Sequence, residues 1–187
     1  RRHCPTFSAM EGTSTWQVQL TDFFVGQDDM IADPVAPYIQ RIRAAFVLLQ
    51  CGIALGISMG SIDAMLAVEQ SHGHVNAFLN DRPDELAEEA AELQGVIMRL
   101  AETPFDGSKD YLIDVLDARV RGAEFTLRAS QSALLHQGAR GYLMNSTPQR
   151  RIREAHFVAI VTPAIKHLRW EIARLSREVY PVSGVAA

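Results

Sequence analysis

The chain has 187 residues, a formal net charge of −4, 48% hydrophobic residues and 7% aromatic ones. That length supports one domain with a substantial core, and the hydrophobic share excludes a disordered chain. The mild acidity leaves no footprint for nucleic acid, and the Arg residues that gather after Arg119 read as a solvated face.

Two cysteines, Cys4 and Cys51, lie far apart, and Cys51 sits in an apolar run. Free thiols in a reducing compartment are therefore expected, which points to the cytoplasm. The opening "RRHCPTFSAMEGTSTW" has basic residues but no apolar run after them, so no secretory signal is read there. The first residue is not Met, and a piece of a longer polypeptide is expected.

Residues 15–25, "TWQVQLTDFFV", alternate apolar and polar side chains and are rich in Val, Thr and aromatics, which predicts a strand. Nothing nearby can pair with it, so residues 1–32 read as the end of an upstream β-domain and a linker. "DPVAP" then starts a helix, with Asp33 as N-cap and Pro34 at the first helical position, running from about Val35 to Gln70. Inside it "AAFVLLQCGIALGISMGSI", Ala44 to Ile62, carries no formal charge over about the length of a membrane span. Gln50, Ser58 and Ser61 interrupt the stretch, and Gly52, Gly56 and Gly60 recur every four residues. Arg41, Arg43 and Asp63 belong to the same helical pattern and no second such segment exists, so a buried helix is expected rather than a membrane span.

"SHGHVNAFLNDRPDE" reads as a break, with His72-Gly73-His74 in a loop and Asp81 or Asp84 capping a second helix, "DELAEEAAELQGVIMRLAE". "TPFDGS" ends it. A third helix is predicted over about Lys109 to His136, stopped by "GARGYLMNSTP" with Gly at the C-cap. A fourth follows from Pro148 to about Val161 and a fifth from Pro163 to about Val179. The fold class is all-α, an up-and-down bundle of four or five helices over residues 33–180 with a short N-terminal β segment, and "PVSGVAA", residues 181–187, is a frayed tail.

Glu69 and His72 form a single Glu-x-x-His pair, which di-iron bundles use in duplicate; no second copy exists and no metal is expected. No cysteine pair has zinc spacing, and no phosphate-cradling Gly-rich loop follows a strand.

The stretch "GARGYLMNSTPQRRIREAHFVAIVTP", Gly138 to Pro163, resembles the Gly-Gly-x-Gly-Tyr turn and Arg-Asp-Ala helix of the acyl-CoA dehydrogenase superfamily. "DFFVGQDDMI" is similar to the last strand of that family's middle β-domain and the exit after it. The resemblance covers nearly the whole chain and implies the family's C-terminal helical domain, with an N-terminal helical domain and most of the β-domain lying upstream. It further implies FAD bound between subunits of a dimer or tetramer, an acyl-CoA substrate of fatty-acid metabolism and an electron acceptor, homo- or hetero-oligomeric assembly, and no membrane. A carboxylate in such enzymes takes the α-proton of the thioester while hydride leaves to the flavin.

Most members carry that carboxylate as a Glu nine residues after the Arg of the motif. Nine from Arg153 is Thr162, whose hydroxyl is no base at neutral pH. Other members place it beside an Arg nine residues before a Gly; here Arg43 precedes Gly52 by nine and is flanked by Ile42 and Ala44. Arg43 itself matches a position that in relatives helps bind the CoA portion. "EQSHG" stands for the family's Arg-x-x-Phe-Gly, which implies cofactor contacts at Ser71 and Gly73 with Glu69 in place of the Arg. The glycine pair appears as Gly138-Ala139, followed by Gly141, and Leu135 occupies the position of a family Gln. The expected function is FAD-dependent oxidation of an acyl-CoA thioester, this chain being the C-terminal part. The alternatives are a flavin monooxygenase of the same superfamily, in which His156 or His167 would matter, a non-catalytic subunit of a heteromeric dehydrogenase, and a helical interaction domain.

Overall fold

The computed structural model describes residues 5–179. Five long helices account for most of them: α1 (Val35–Asn76), α2 (Pro83–Leu100), α3 (Lys109–Gln137), α4 (Thr147–Ile160) and α5 (Ile165–Val179). Side-chain pairs fix their directions. Arg119 meets Gln50 and Gln137 meets Ala64, so α3 runs parallel to α1. Arg82 meets Glu69, while the Tyr111 hydroxyl reaches Leu100 O, so α2 runs back between them. Arg151 meets Gly60, and Glu171 meets Arg43, so α4 and α5 both run against α1, one after the other.

α3 packs against the other four helices and forms the axis of the bundle. It can do so because its contact with α1 is lined by small residues: a Cβ on Gly122 would already touch the Cβ of Ala54 at 3.4 Å. Ala123, Ala129 and Ala133 on the same face are fully buried. Beside Gly122, the hydroxyls of Ser58 and Thr126 lie 3.1 Å apart and share the carbonyls of Ala54 and Gly122. Hydroxyls satisfied in this way let two backbones approach without leaving buried polar groups unmatched. Larger side chains, Met65, Leu86, Leu116 and Leu168 among them, fill the space around the crossing.

Local chemistry sets most of the ends. The Ser108 hydroxyl accepts from Tyr111 N–H at the start of α3, and Ser146 does the same for Gln149 N–H at the start of α4. Gly138, with φ of 59°, closes α3 in the left-handed half of backbone space.

Several expectations are corrected. No strand forms among the described residues; residues 15–25 hold one isolated bridge position, at Gln17, and Val18, Leu20, Phe23 and Phe24 are exposed. Alternation gives a segment two faces but cannot supply a neighbouring strand to pair with. α1 begins at Val35 as expected, but Pro34 rather than Asp33 holds the cap position and no side chain caps it. It also continues through His72-Gly73-His74 to Asn76, because a lone glycine weakens a helix without ending it. Neither Asp81 nor Asp84 caps α2; Arg82 holds the cap position with Pro83 next, and Glu85 accepts from Arg82 N–H at 3.1 Å. α5 begins at Ile165 rather than Pro163, with the Ala164 carbonyl taking the N–H groups of His167 and Leu168. Cys4 and the tail at 181–187 lie outside the described residues.

α1 is the one helix among the described residues long and apolar enough to cross a membrane, and 56% of its apolar stretch is buried inside the bundle.

Candidate functional site

The break between α4 and α5 is anchored from inside the bundle. The last carbonyls of α4 lack intrahelical partners, and the helix dipole concentrates negative charge on them. Arg119, only 1% exposed, reaches across from α3 and donates from Nη2 to Val158 O at 2.6 Å. Its Nε donates to Gln50 Oε1 at 3.3 Å, and Gln50 Nε2 in turn donates to Thr162 O at 2.9 Å. A relay of two donors therefore runs from Arg119 on α3 through Gln50 on α1 to the carbonyl of Thr162 in the turn. Burial lowers the pKa of Arg119, and no carboxylate pairs with it among the described residues. Its Nη1 is buried without a hydrogen-bond partner. Beneath it, burial pushes the Cys51 thiol up to about 11 against the opposing pull of Arg119.

Thr162 is exposed next in sequence to an open cleft of about 770 Å³ lined by Ala159, Ile160, Ala164, Ile165, Lys166, His167 and Arg169. An apolar lining with Lys166 at hand suits an amphipathic anion. His167 faces this cleft, whereas His156 is exposed on α4 with its Nδ1 2.7 Å from Ile152 O. Arg43 lies two helical turns before Gln50 and is held by Glu171 at 3.1 Å, a buried carboxylate that Arg174 also contacts at 2.9 Å. These hydrogen bonds hold the Glu171 carboxyl below the usual range against its burial. Other charges of α4 and α5 are structural: on α4 Arg153 donates to Ser8 O at 2.7 Å and Glu154 pairs with Arg150 at 3.4 Å, and on α5 Arg169 pairs with Glu124.

The five residues assigned to a cofactor sit towards the opposite end of the bundle, at the ends of the parallel helices α1 and α3. Asn76 Nδ2 donates to His136 O at 3.3 Å and ties the two helix ends. Gly138 and Ala139 are exposed, and a Cβ on Gly138 would meet nothing within 4 Å. Gly141 is buried instead, and a Cβ there would lie 2.7 Å from that of Gln137, so the turn itself requires it. The Ser71 hydroxyl is exposed and spans to Val68 O at 3.1 Å and His72 Nδ1 at 2.7 Å. A Cβ on Gly73 would meet Glu69 Oε1 at 2.9 Å, and Glu69 is itself bound by Arg82 at 2.8 Å. His136 places Nδ1 2.9 Å from Ser132 O, a contact in which the ring nitrogen donates to the carbonyl, and its Nε2 is buried without a partner.

Thr162 and Arg43 thus lie towards one end of the bundle, tied to Gln50 and Glu171 rather than to each other, and Ser71, Gly73, Gly138, Ala139 and Gly141 lie towards the other. Along α1 the 23 residues from Gln50 to Gly73 span roughly 35 Å. The two groups do not meet within one chain. Sequence reasoning missed Gln50 and Arg119, although Arg119 shares the spacing of Val115, Leu116, Gly122 and Ala123 and so falls on the buried face of α3. Among the described residues no group of three or more His, Cys, Asp or Glu side chains could hold a metal ion. The chain matches no protein-family model, and no curated protein is similar enough to it to stand as a relative.

Proposed function

We propose that this chain is the C-terminal helical domain of an acyl-CoA dehydrogenase-like flavoprotein that oxidises an acyl-CoA thioester as part of an oligomer. The observation that carries this reading is the separation of the two residue groups. A flavin bound between subunits requires a chain to offer substrate-side residues at one end and cofactor-side residues to a neighbour at the other, and Thr162 and Gly138 are divided in that way. The residues fit the cofactor in part. The open space at Gly138 lets a phosphate approach the backbone, and the exposed Arg140 in the same turn supplies a cation. FAD, when bound, supplies the hydride acceptor.

The chain's own contribution on the substrate side is positional. Gln50 and Arg119 fix the turn that presents Thr162, and the cleft beside it offers an apolar lining with Lys166 as its cation. Thr162 cannot remove a proton, so the base comes from another segment or subunit. The cleft-facing His167 favours one second reading, a flavin monooxygenase of the same superfamily.

The test uses the full polypeptide that contains this chain. Its visible spectrum is recorded, and acyl-CoA is added without oxygen. Bleaching of a bound flavin supports the dehydrogenase. Turnover only with an external reductant and oxygen supports the monooxygenase, and failure to bind flavin under any condition sinks both. Thr162→Glu is the sharper variant, since a gain of dehydrogenation would show that the base alone is missing.

A further inference from the structure

Between Ala44 and Ile62 the helix α1 is apolar on two sides: Val47, Leu48, Cys51, Ala54 and Ile62 are buried in the core, and a second apolar set faces outward. Its polar side chains, Gln50, Ser58 and Ser61, are buried, whereas Phe46, Leu49, Ile53 and Met59 are exposed, Leu49 to 77%. Gly52 and Gly56 lie on the same outer face, one turn apart. Nothing among the described residues explains them. A Cβ at either position would meet no atom within 4 Å, yet glycine inside a helix costs about 1 kcal/mol relative to alanine. Gly60 is different, because the Arg151 side chain occupies the place its Cβ would take. An apolar face that keeps two open glycines at its centre admits a second helix at short distance.

We propose that this face is the two-fold contact of a dimer, in which α1 crosses α1 of a second copy antiparallel at Gly52 and Gly56. Charge selects the occupant and the direction. Arg41 and Asp63 are the exposed charged residues that flank the face, a cation on its N-terminal side and a carboxylate on its C-terminal side. Parallel pairing would stack like on like. Antiparallel pairing about residue 54 brings each Arg41 within about one turn, roughly 6 Å, of the other chain's Asp63. A lipid surface fits less well. α2 lies beside α1, with Ala87 and Ala91 sharing a groove with Met59 and Leu66, and it exposes Asp84, Glu88 and Glu92, charges that a bilayer penalises heavily. From Tyr38 to Ala67 the face is about 45 Å long and about one helix diameter wide. That gives on the order of 1,000 Å² for the pair, the lower bound of a specific interface, so the dimer is a reversible one. Gln50 and its contact to Thr162 lie on the opposite side of α1, and this inference is independent of the flavoprotein reading.

Sedimentation velocity over a dilution series tests it, with the full chain as it exists. The chain dimerises reversibly in the micromolar range. Gly56→Leu raises the dissociation constant at least tenfold while the helical circular dichroism and the melting temperature of the monomer are kept or raised, because the new side chain meets nothing within the chain. Arg41→Glu and Asp63→Arg each weaken the dimer, and the two together restore it. A monomer at every concentration, a Gly56→Leu dimer of undiminished affinity, a double charge swap that fails to rescue, or flotation of the chain with anionic vesicles in place of dimerisation would each overturn the proposal.

Discussion

Arg119→Met tests whether the buried cation holds the α4–α5 break or is merely tolerated there. Methionine keeps the length and apolar stem of the side chain but withdraws its donors from Val158 O and Gln50 Oε1. Hydrogen bonds from a charged donor contribute about 1.5–3 kcal/mol each, and a buried acceptor left unmatched costs about 1–3 kcal/mol. Against this stands the relief of no longer burying a guanidinium whose Nη1 is unsatisfied, a few kcal/mol in the other direction. Because the α4 dipole already offsets part of that burial cost, the donors win and the net loss is about 2–4 kcal/mol. In a chain of this size each kcal/mol moves the melting temperature by about 2–4 °C, so the variant melts roughly 5–15 °C lower. Amide hydrogen exchange shows the loss first around residues 158–165, before the rest of the bundle. Gln50→Leu costs less, about 1–2 kcal/mol for the neutral part of the network, and the double variant costs less than the sum of the two. An Arg119→Met protein that melts at or above the original temperature with unchanged exchange would refute the anchoring argument.

Glu171 makes stability depend on acid. Its folded pKa lies below the ordinary carboxylate value, so the stabilisation is complete above about pH 4.3 and drains away as pH falls through the lowered folded value. Glu171→Gln flattens that acid limb in a urea titration series. At neutral pH it costs only about 1–2 kcal/mol, since Arg43 and Arg174 are 38% and 43% exposed and water screens them. In a Cys4→Ser background, Cys51 stays unlabelled by a thiol reagent at pH 8 for as long as the chain is folded and reacts within minutes in denaturant, because its thiol is buried and titrates near 11. Gly60→Leu drives the Arg151 guanidinium off the Gly60 carbonyl and lowers stability by about 1–3 kcal/mol, in contrast to Gly56→Leu.

How far the fold was legible depended on how local its causes are. The start of α3 after "TPFDGS" and its end at Gly138 follow from residues within a few positions of each boundary, and these expectations agree with the structure to within a residue. The end of α1 follows from distant partners instead. Arg82 holds Glu69, and Asn76 reaches His136, 60 residues away. Residues 15–25 show the opposite failure, an alternation that names two faces while the pairing strand is absent among the described residues. The break at Thr162 was visible as a pattern, but its anchor was not. Gln50 sat in a run read as apolar, and Arg119 among arginines read as a solvated face; only the crossing of α1 and α3 joins residues 69 positions apart.

One property of α1 underlies both the anchored break and the proposed dimer face. A helix with an apolar core face and a polar outer face would leave Thr162 without a buried donor and would have nothing to offer a second chain. Here the interior is held partly by polar contacts, Gln50 to Thr162 O and Ser58 to Thr126. The polar residues of the stretch share the interior with Val47, Leu48, Cys51 and Ala54, while Phe46, Leu49, Ile53 and Met59 stay outside. Adding a polar residue on the outer face, as in Leu49→Lys, therefore leaves the monomer fold and the break intact and removes only association. If Leu49→Lys instead lowered the melting temperature of the monomer by the amount expected for a core substitution, roughly 5–15 °C at 2–4 kcal/mol, the outer face would have to be part of the chain's own core. The 77% exposure of Leu49 argues against that outcome.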